Sequence, residues 1–181
     1  MQNNLQKDNG IYLVNTQPLS YDYMVTKYSA YKEGNILVDD LEKREKLEVE
    51  TLKILEELGY SLEETGTYFY KDVIVKAVEQ LQESSSEESY QELIEDLNND
   101  YSQFYFDIAR NGYDVGLKTF HSCINISHQT KNPQDTVLQQ RIGIKDANRN
   151  YRQEGLLIAD YITENQTRKE MTQVKQKAMN Y

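Results

Sequence analysis

Phe104-Tyr105-Phe106-Asp107-Ile108-Ala109-Arg110-Asn111-Gly112-Tyr113, with the run Leu117 to Ile126 behind it, decides the reading of this chain. The stretch predicts a helix, a glycine-bearing turn at Asn111-Gly112 and a second helix, on which Leu117, Phe120 and Ile124 keep the apolar spacing. Just upstream, Ile94, Leu97, Tyr101, Phe104, Tyr105 and Ile108 fit one long periodic helix. It is entered from a polar linker, Glu83-Ser84-Ser85-Ser86-Glu87-Glu88-Ser89, which carries capping-box spacings from Ser84 to Glu87 and from Ser89 to Glu92.

Further toward the N-terminus lies the cleanest amphipathic pattern: Tyr70, Val73, Ile74, Ala77, Val78 and Leu81 at i, i+3, i+4, i+7, i+8 and i+11. Before it, a helical region beginning near Asp39 and Asp40 sets Leu41, Leu47, Thr51, Leu55 and Leu58 near one face, with Leu52 and Ile54 beside them and Gly59 at its end. Glu42, Glu45, Glu48, Glu50, Glu56 and Glu57 fall on the opposite, solvated face of that helix. Ser20 is placed to cap a helix bearing Tyr21, Met24, Val25, Tyr28 and Tyr31, which Gly34 ends. At the start of the chain Asn9-Gly10 reads as a turn and Ile11 to Val14 as a short strand.

Downstream, Pro133 is suited to open a helix on which Val137, Leu138 and Ile142 form an apolar edge. If that helix runs through Gly143, Arg141, Lys145, Arg149 and Arg152 share a single basic stripe. Leu156, Leu157, Ile158, Tyr161 and Ile162 add an apolar patch, and the tail from Thr167 to Tyr181 is polar. The expected architecture is mainly α. It comprises a Tyr-rich N-terminal segment (1–38), a helical core with the helix-turn-helix outline (39–128) and a basic helical extension (129–181).

A chain of 181 residues and 38% hydrophobic content can bury a real core, while a mean hydropathy of -0.79 marks a strongly polar surface. No apolar run has the length of a membrane span, and Met1 to Lys7 lack the basic and apolar regions of a signal peptide. With one cysteine, the expected setting is the reducing cytoplasm. Charge is unevenly divided. Residues 1–109 carry 9 Lys/Arg against 23 Asp/Glu, a net of -14, and residues 110–181 carry 11 against 7, a net of +4. Seven carboxylates (Glu83, Glu87, Glu88, Glu92, Glu95, Asp96 and Asp100) follow one another with no intervening Lys or Arg. Like charges at that density repel, and a basic partner would relieve the repulsion. A merely solvated helix face is the alternative.

Catalytic signatures are sparse. There is no GxGxxG and no P-loop. His121 and Cys123, two apart on a helix, point to opposite sides, and His121, Cys123 and His128 lack the fourth group a structural zinc site uses. Asp96, Asn98, Asp100 and Asp107 imitate a calcium loop, but Tyr101 stands where its glycine belongs. The expectation is a protein that is not an enzyme and needs no cofactor or metal.

Three stretches, Leu52-Lys53-Ile54-Leu55-Glu56-Glu57-Leu58-Gly59, Gly66-Thr67-Tyr68-Phe69-Tyr70-Lys71-Asp72-Val73-Ile74 and Tyr105-Phe106-Asp107-Ile108-Ala109-Arg110, carry a resemblance. Together they make residues from Thr51 to about Ser127 similar to the DNA-binding effector domain of the sporulation-initiation response regulator of spore-forming bacteria. The resemblance implies an all-helical domain with Tyr105 to Ala109 on the helix before the recognition helix. It implies, too, a DNA-binding transcription regulator, with Arg110 and Lys118 inside the matching region; the stripe Arg141, Lys145, Arg149 and Arg152, read from spacing and lying outside that region, is expected to replace the family's own DNA contact. The family's recognition helix is arginine-rich, however, and Asp114 to Ser122 here offers only Lys118. A small acidic chain without an active site on such a scaffold is similar in kind to the type II anti-CRISPR proteins of phages and mobile elements. That likeness implies an inhibitor whose seven carboxylates bind a CRISPR nuclease, with the basic half free to contact duplex DNA.

Overall fold

Thr65–Glu83 (α3) is the axis of the molecule because it has no solvated side for most of its length. Tyr68, Phe69, Tyr70, Val73, Ile74, Val75, Ala77 and Val78 are all buried, so α3 meets a neighbour on every face. The computed structural model describes residues 6–8, 11–13, 21–37, 41–84, 86–132, 136–145 and 150–179. In it, a short antiparallel pair, β1 (Gln6–Asp8) and β2 (Ile11–Leu13, with Asp8 opposite Ile11), precedes eight helices. These are α1 (Tyr21–Lys32), α2 (Lys43–Glu57), α3, α4 (Glu87–Asn98), α5 (Gln103–Asp107), α6 (Leu117–Thr130), α7 (Thr136–Ile142) and α8 (Tyr151–Met179). A π-helical turn, Ile108–Gly112, prolongs α5. The domain is therefore mainly α.

α3 packs against α2, α6 and α8, and its Phe69 stacks on Phe120 of α6 with ring centroids 5.0 Å apart. Tyr70 donates its hydroxyl proton to the Tyr151 carbonyl at 2.7 Å. Residues of the expected C-terminal extension, among them Tyr151, Ile158, Ala159 and Ile162, lie in the same core as α3. A smaller cluster joins Met24 and Tyr28 of α1 to Leu41, Val49, Leu52 and Tyr68.

α3 and α6 approach closely at Gly66, in the first turn of α3. A Cβ there would fall inside the backbone carbonyl of Cys123 on α6, so only glycine lets the two helices meet. Gly66→Ala is expected to lower stability by about 2 kcal/mol, the cost of forcing backbones apart in a packed core. Thermal unfolding should register this as a fall in Tm of roughly 4–8 °C for a chain of this size. An unchanged Tm would mean that α6 can slide without penalty.

Several expectations are corrected. The long helix from Ile94 to Ile108 is two helices. α4 stops at Asn98, and Ser102 starts α5 by accepting from the Tyr105 amide at 3.4 Å. The apolar period survives the break by coincidence of spacing, and Tyr101, expected on the inner stripe, is 85% exposed. At the head of α4 the cap is Ser86, whose hydroxyl accepts from the Ser89 amide at 3.2 Å, rather than Ser84 or Ser89. Asn111-Gly112 remains within the π turn, and the left-handed residue is Asp114 at φ 52°. α2 begins at Lys43, and Asp39 and Asp40, expected to start it, lie outside the described residues, as does Ser20. Gly143, at φ 94°, closes α7, so no helix runs from Arg141 to Arg152.

Candidate binding surfaces

α4 is held by one narrow apolar edge. Leu93 and Leu97 are buried against the body, and the Tyr90 hydroxyl donates to the Asp160 carboxylate at 3.3 Å. Ile94 is half-buried, and the carboxylates of α4, with Glu83 at the end of α3, face outward. Glu83, Glu87, Glu88, Glu92, Glu95 and Asp96 are exposed, and none of them takes part in an ion pair among the described residues. Asp100 differs: its Oδ1 lies 2.6 Å from Nη1 of Arg152, so one acidic and one basic candidate neutralise each other. Five carboxylates thus remain together on α4, and Glu83 adds a sixth at the end of α3.

The basic candidates do not form one stripe. Arg110 is exposed on the π turn, Lys118 in the first turn of α6, Arg141 near the end of α7 and Lys145 beyond Gly143. Arg149 lies outside the described residues, and Arg152 is occupied by Asp100. The helix break at Gly143 is the physical reason: the helical spacing that would align Arg141 with Lys145 and Arg152 ends there.

α6 presents a different surface. Phe120 and Ile124 anchor it on α3, while Lys118, Thr119, Ser122, Asn125, Ile126 and Gln129 are exposed. In a chain of net charge -10, α6 carries no carboxylate at all.

The interior holds two ionic networks that sequence reading missed. Lys71 and Glu48 are fully buried, with Lys71 Nζ 2.9 Å from Glu48 Oε2 and 2.6 Å from Asp72 Oδ1. Tyr113 donates its hydroxyl proton to the same Asp72. Burial pushes the Glu48 carboxyl above the usual carboxylate range despite Lys71 beside it. Glu48 is thereby moved from the solvated face of α2, where its spacing puts it, to the interior. In the second network, buried Glu154 accepts from His128 Nε2 at 2.8 Å and from Lys131 Nζ at 2.8 Å. Burial alone would raise this carboxyl, but the hydrogen bonds from His128 and Lys131 outweigh it and hold the group below its ordinary value.

His121 is committed to structure. Its Nε2 lies 2.7 Å from the Asp100 carbonyl, which only accepts, so Nε2 carries the proton and Nδ1 accepts from the Tyr151 hydroxyl. Burial lowers its pKa below the ordinary 6.5, and the nearby Arg152 adds to that. Cys123 is half-buried, and burial raises its thiol pKa, the reverse of nucleophile activation. Among the described residues no group of three or more His, Cys, Asp and Glu is placed to hold a metal ion, and no helix is long and apolar enough to cross a membrane.

A pH dependence follows from His121 and Glu154. Both have folded pKa values below the unfolded ones, so the unfolded chain binds more protons and stability rises with pH through each window. The His121 contribution is complete above 6.5 and is lost as pH falls through its folded value; the Glu154 contribution is complete above 4.5 and is lost in the same way at lower pH. Glu48, raised above 4.5, acts with the opposite sign. The expected result is that His121→Gln flattens the dependence of Tm on pH just below 6.5 without altering it at more alkaline pH. Parallel Tm curves for the two proteins would refute the assignment.

Comparison of this chain with known protein families, characterised proteins and solved structures gives no match.

Proposed function

We propose that this chain is a non-catalytic binding protein, an inhibitor of the anti-CRISPR type that presents α4 to a CRISPR nuclease. The observation that carries this reading is the set of five exposed carboxylates on α4 (Glu87, Glu88, Glu92, Glu95 and Asp96) without ion-pair partners among the described residues, on a helix fixed by Leu93, Leu97 and Tyr90. Guided nucleases hold nucleic acid in positively charged channels, and a rigid helix of like negative charges is a stand-in for a phosphate strand there. Preorganisation matters, because carboxylates already held in place lose little entropy on docking. The test is cleavage of a target duplex by guide-loaded type II nucleases in the presence of the protein. Inhibition near one equivalent that weakens as salt rises supports the reading; full cleavage by every nuclease at large excess overturns it.

A second reading, a helix-turn-helix transcription regulator, is favoured by the outer face of α6. Asn125 and Gln129 are of the residue types that pair with adenine edges, Thr119 and Ser122 can donate or accept at a base edge, and α6 itself carries no carboxylate. Arg110, Lys118, Arg141 and Lys145 supply cations nearby in sequence. This reading requires duplex DNA binding that falls steeply with salt. Capture from a bacterial lysate, with and without nuclease digestion, separates the two: a CRISPR nuclease retained after digestion favours the inhibitor, and DNA alone favours the regulator.

A further inference from the structure

Where α4 gives way to α5, Ile94, Glu95, Asn98, Asp100, Tyr101 and Arg152 line a groove of about 490 Å³. The chain's own Arg152 is held there by a carboxylate and an aromatic ring. Its Nη1 is 2.6 Å from Asp100 Oδ1, and its guanidinium carbon is 5.3 Å from the centroid of the Tyr151 ring. The same two chemistries recur along the groove in exposed positions. Tyr101 is 85% exposed, and Glu95 has no ion-pair partner among the described residues. Half-buried Ile94 adds an apolar wall suited to an aliphatic stem. The Tyr101 backbone is also fixed: its amide donates to Asn99 Oδ1 at 3.0 Å, and the Ser102 amide donates to the Asn99 carbonyl at 3.2 Å.

We propose that this groove docks an arginine side chain of a positively charged protein partner, with Tyr101 against the guanidinium face and Glu95 accepting from its N–H groups. The proposal rests on the reading of α4 as a surface for a basic protein and names the contact that anchors it. Arginine is specified over lysine because a planar guanidinium stacks on a ring and still presents donors in its plane to a carboxylate. Tyr and Arg are also the residue types that concentrate binding energy at protein interfaces. An ordered, exposed tyrosine beside an unpaired carboxylate supplies one half of such a contact.

The probe is the peptide acetyl-Gly-Arg-Gly-Arg-Gly-amide, with its lysine and citrulline counterparts, titrated into the ¹⁵N-labelled full chain. Amide shifts should concentrate at residues 94–101, with the arginine peptide binding more tightly than the lysine one and the citrulline one not at all. Tyr101→Ala should weaken the arginine peptide about fivefold, the loss of one exposed cation–π contact, and leave Tm unchanged. Shifts equally strong at Glu83, Glu87 and Glu88, or a Tyr101→Ala chain that binds as well as wild type, would overturn the groove. Cleavage assays keep the two proposals apart. If wild type and Tyr101→Ala inhibit a nuclease equally, the groove fails and the inhibitor reading stands. A chain that binds the arginine peptide through 94–101 yet inhibits no nuclease supports the groove and overturns that reading.

Discussion

Lys71→Met should cost the fold about 3–5 kcal/mol, the range for removing one partner of a buried ion pair. In the native chain the Lys71 ammonium is enclosed between Glu48 and Asp72, and the three buried side chains join α2 to α3. Methionine keeps most of the volume and removes the charge. Two carboxylates are then left in the interior with only Arg44 as a more distant cation for Glu48. Urea unfolding measures the loss directly. Adding Glu48→Gln to Lys71→Met should recover part of it, because one uncompensated charge disappears, so the two substitutions should be strongly non-additive. The sign of the pH effect is also fixed. Without Lys71 to oppose burial, the folded pKa of Glu48 rises further above 4.5. The folded variant then binds the extra proton, and its stability falls as pH rises, so its deficit against wild type shrinks on acidification. A Lys71→Met protein within about 1 kcal/mol of wild type at neutral pH would mean that the buried ion pair does not hold α2 on α3.

The same triad explains where sequence reading stopped. The Tyr70 to Leu81 pattern predicts α3 correctly because its apolar face repeats at helical spacing. That pattern leaves Lys71 and Asp72 off the apolar stripe, and only α2 and Tyr113 packing over them bury both. Burial of a charge depends on its partner, and Glu48 lies 23 residues away on another helix. The acidic surface was legible because it is local: exposure of the five carboxylates on α4 needs no partner, only a helix anchored by Leu93 and Leu97. The basic stripe was not legible because it hung on one backbone angle. Gly143 at φ 94° turns the chain, and Arg152 meets Asp100, a pairing between residues 52 positions apart. The Tyr101 groove was hidden for a related reason, since a period that continues across a break reads as an unbroken helix.

Under the proposed inhibitor reading, reversing Glu87, Glu88, Glu92 and Glu95 to lysine should abolish binding to a nuclease while leaving the chain folded. All four side chains are exposed, and none is ion-paired among the described residues, so no interior contact is lost. Lysine at positions 87 and 88 opposes the positive end of the α4 dipole, at about 0.3–1 kcal/mol each, but relief of repulsion along the helix offsets part of this. The far-UV spectrum should not change, and Tm should move little. Binding should respond quite differently. The net charge passes from -10 to -2, and four attractive contacts become repulsive ones. A loss of at least about 100-fold in affinity is expected, carried largely by the association rate at low salt. Net charge alone is controlled by reversing Glu33, Glu42, Glu57 and Glu63, which are exposed elsewhere and give the same total of -2. If only the α4 variant loses inhibition, the surface acts as a shaped array of carboxylates. Equal losses in both would reduce the effect to long-range attraction, and retained inhibition in the α4 variant would exclude this helix as the contact. Under the regulator reading, by contrast, the α4 variant should bind duplex DNA more tightly than wild type, because eight units of charge have shifted toward the phosphates.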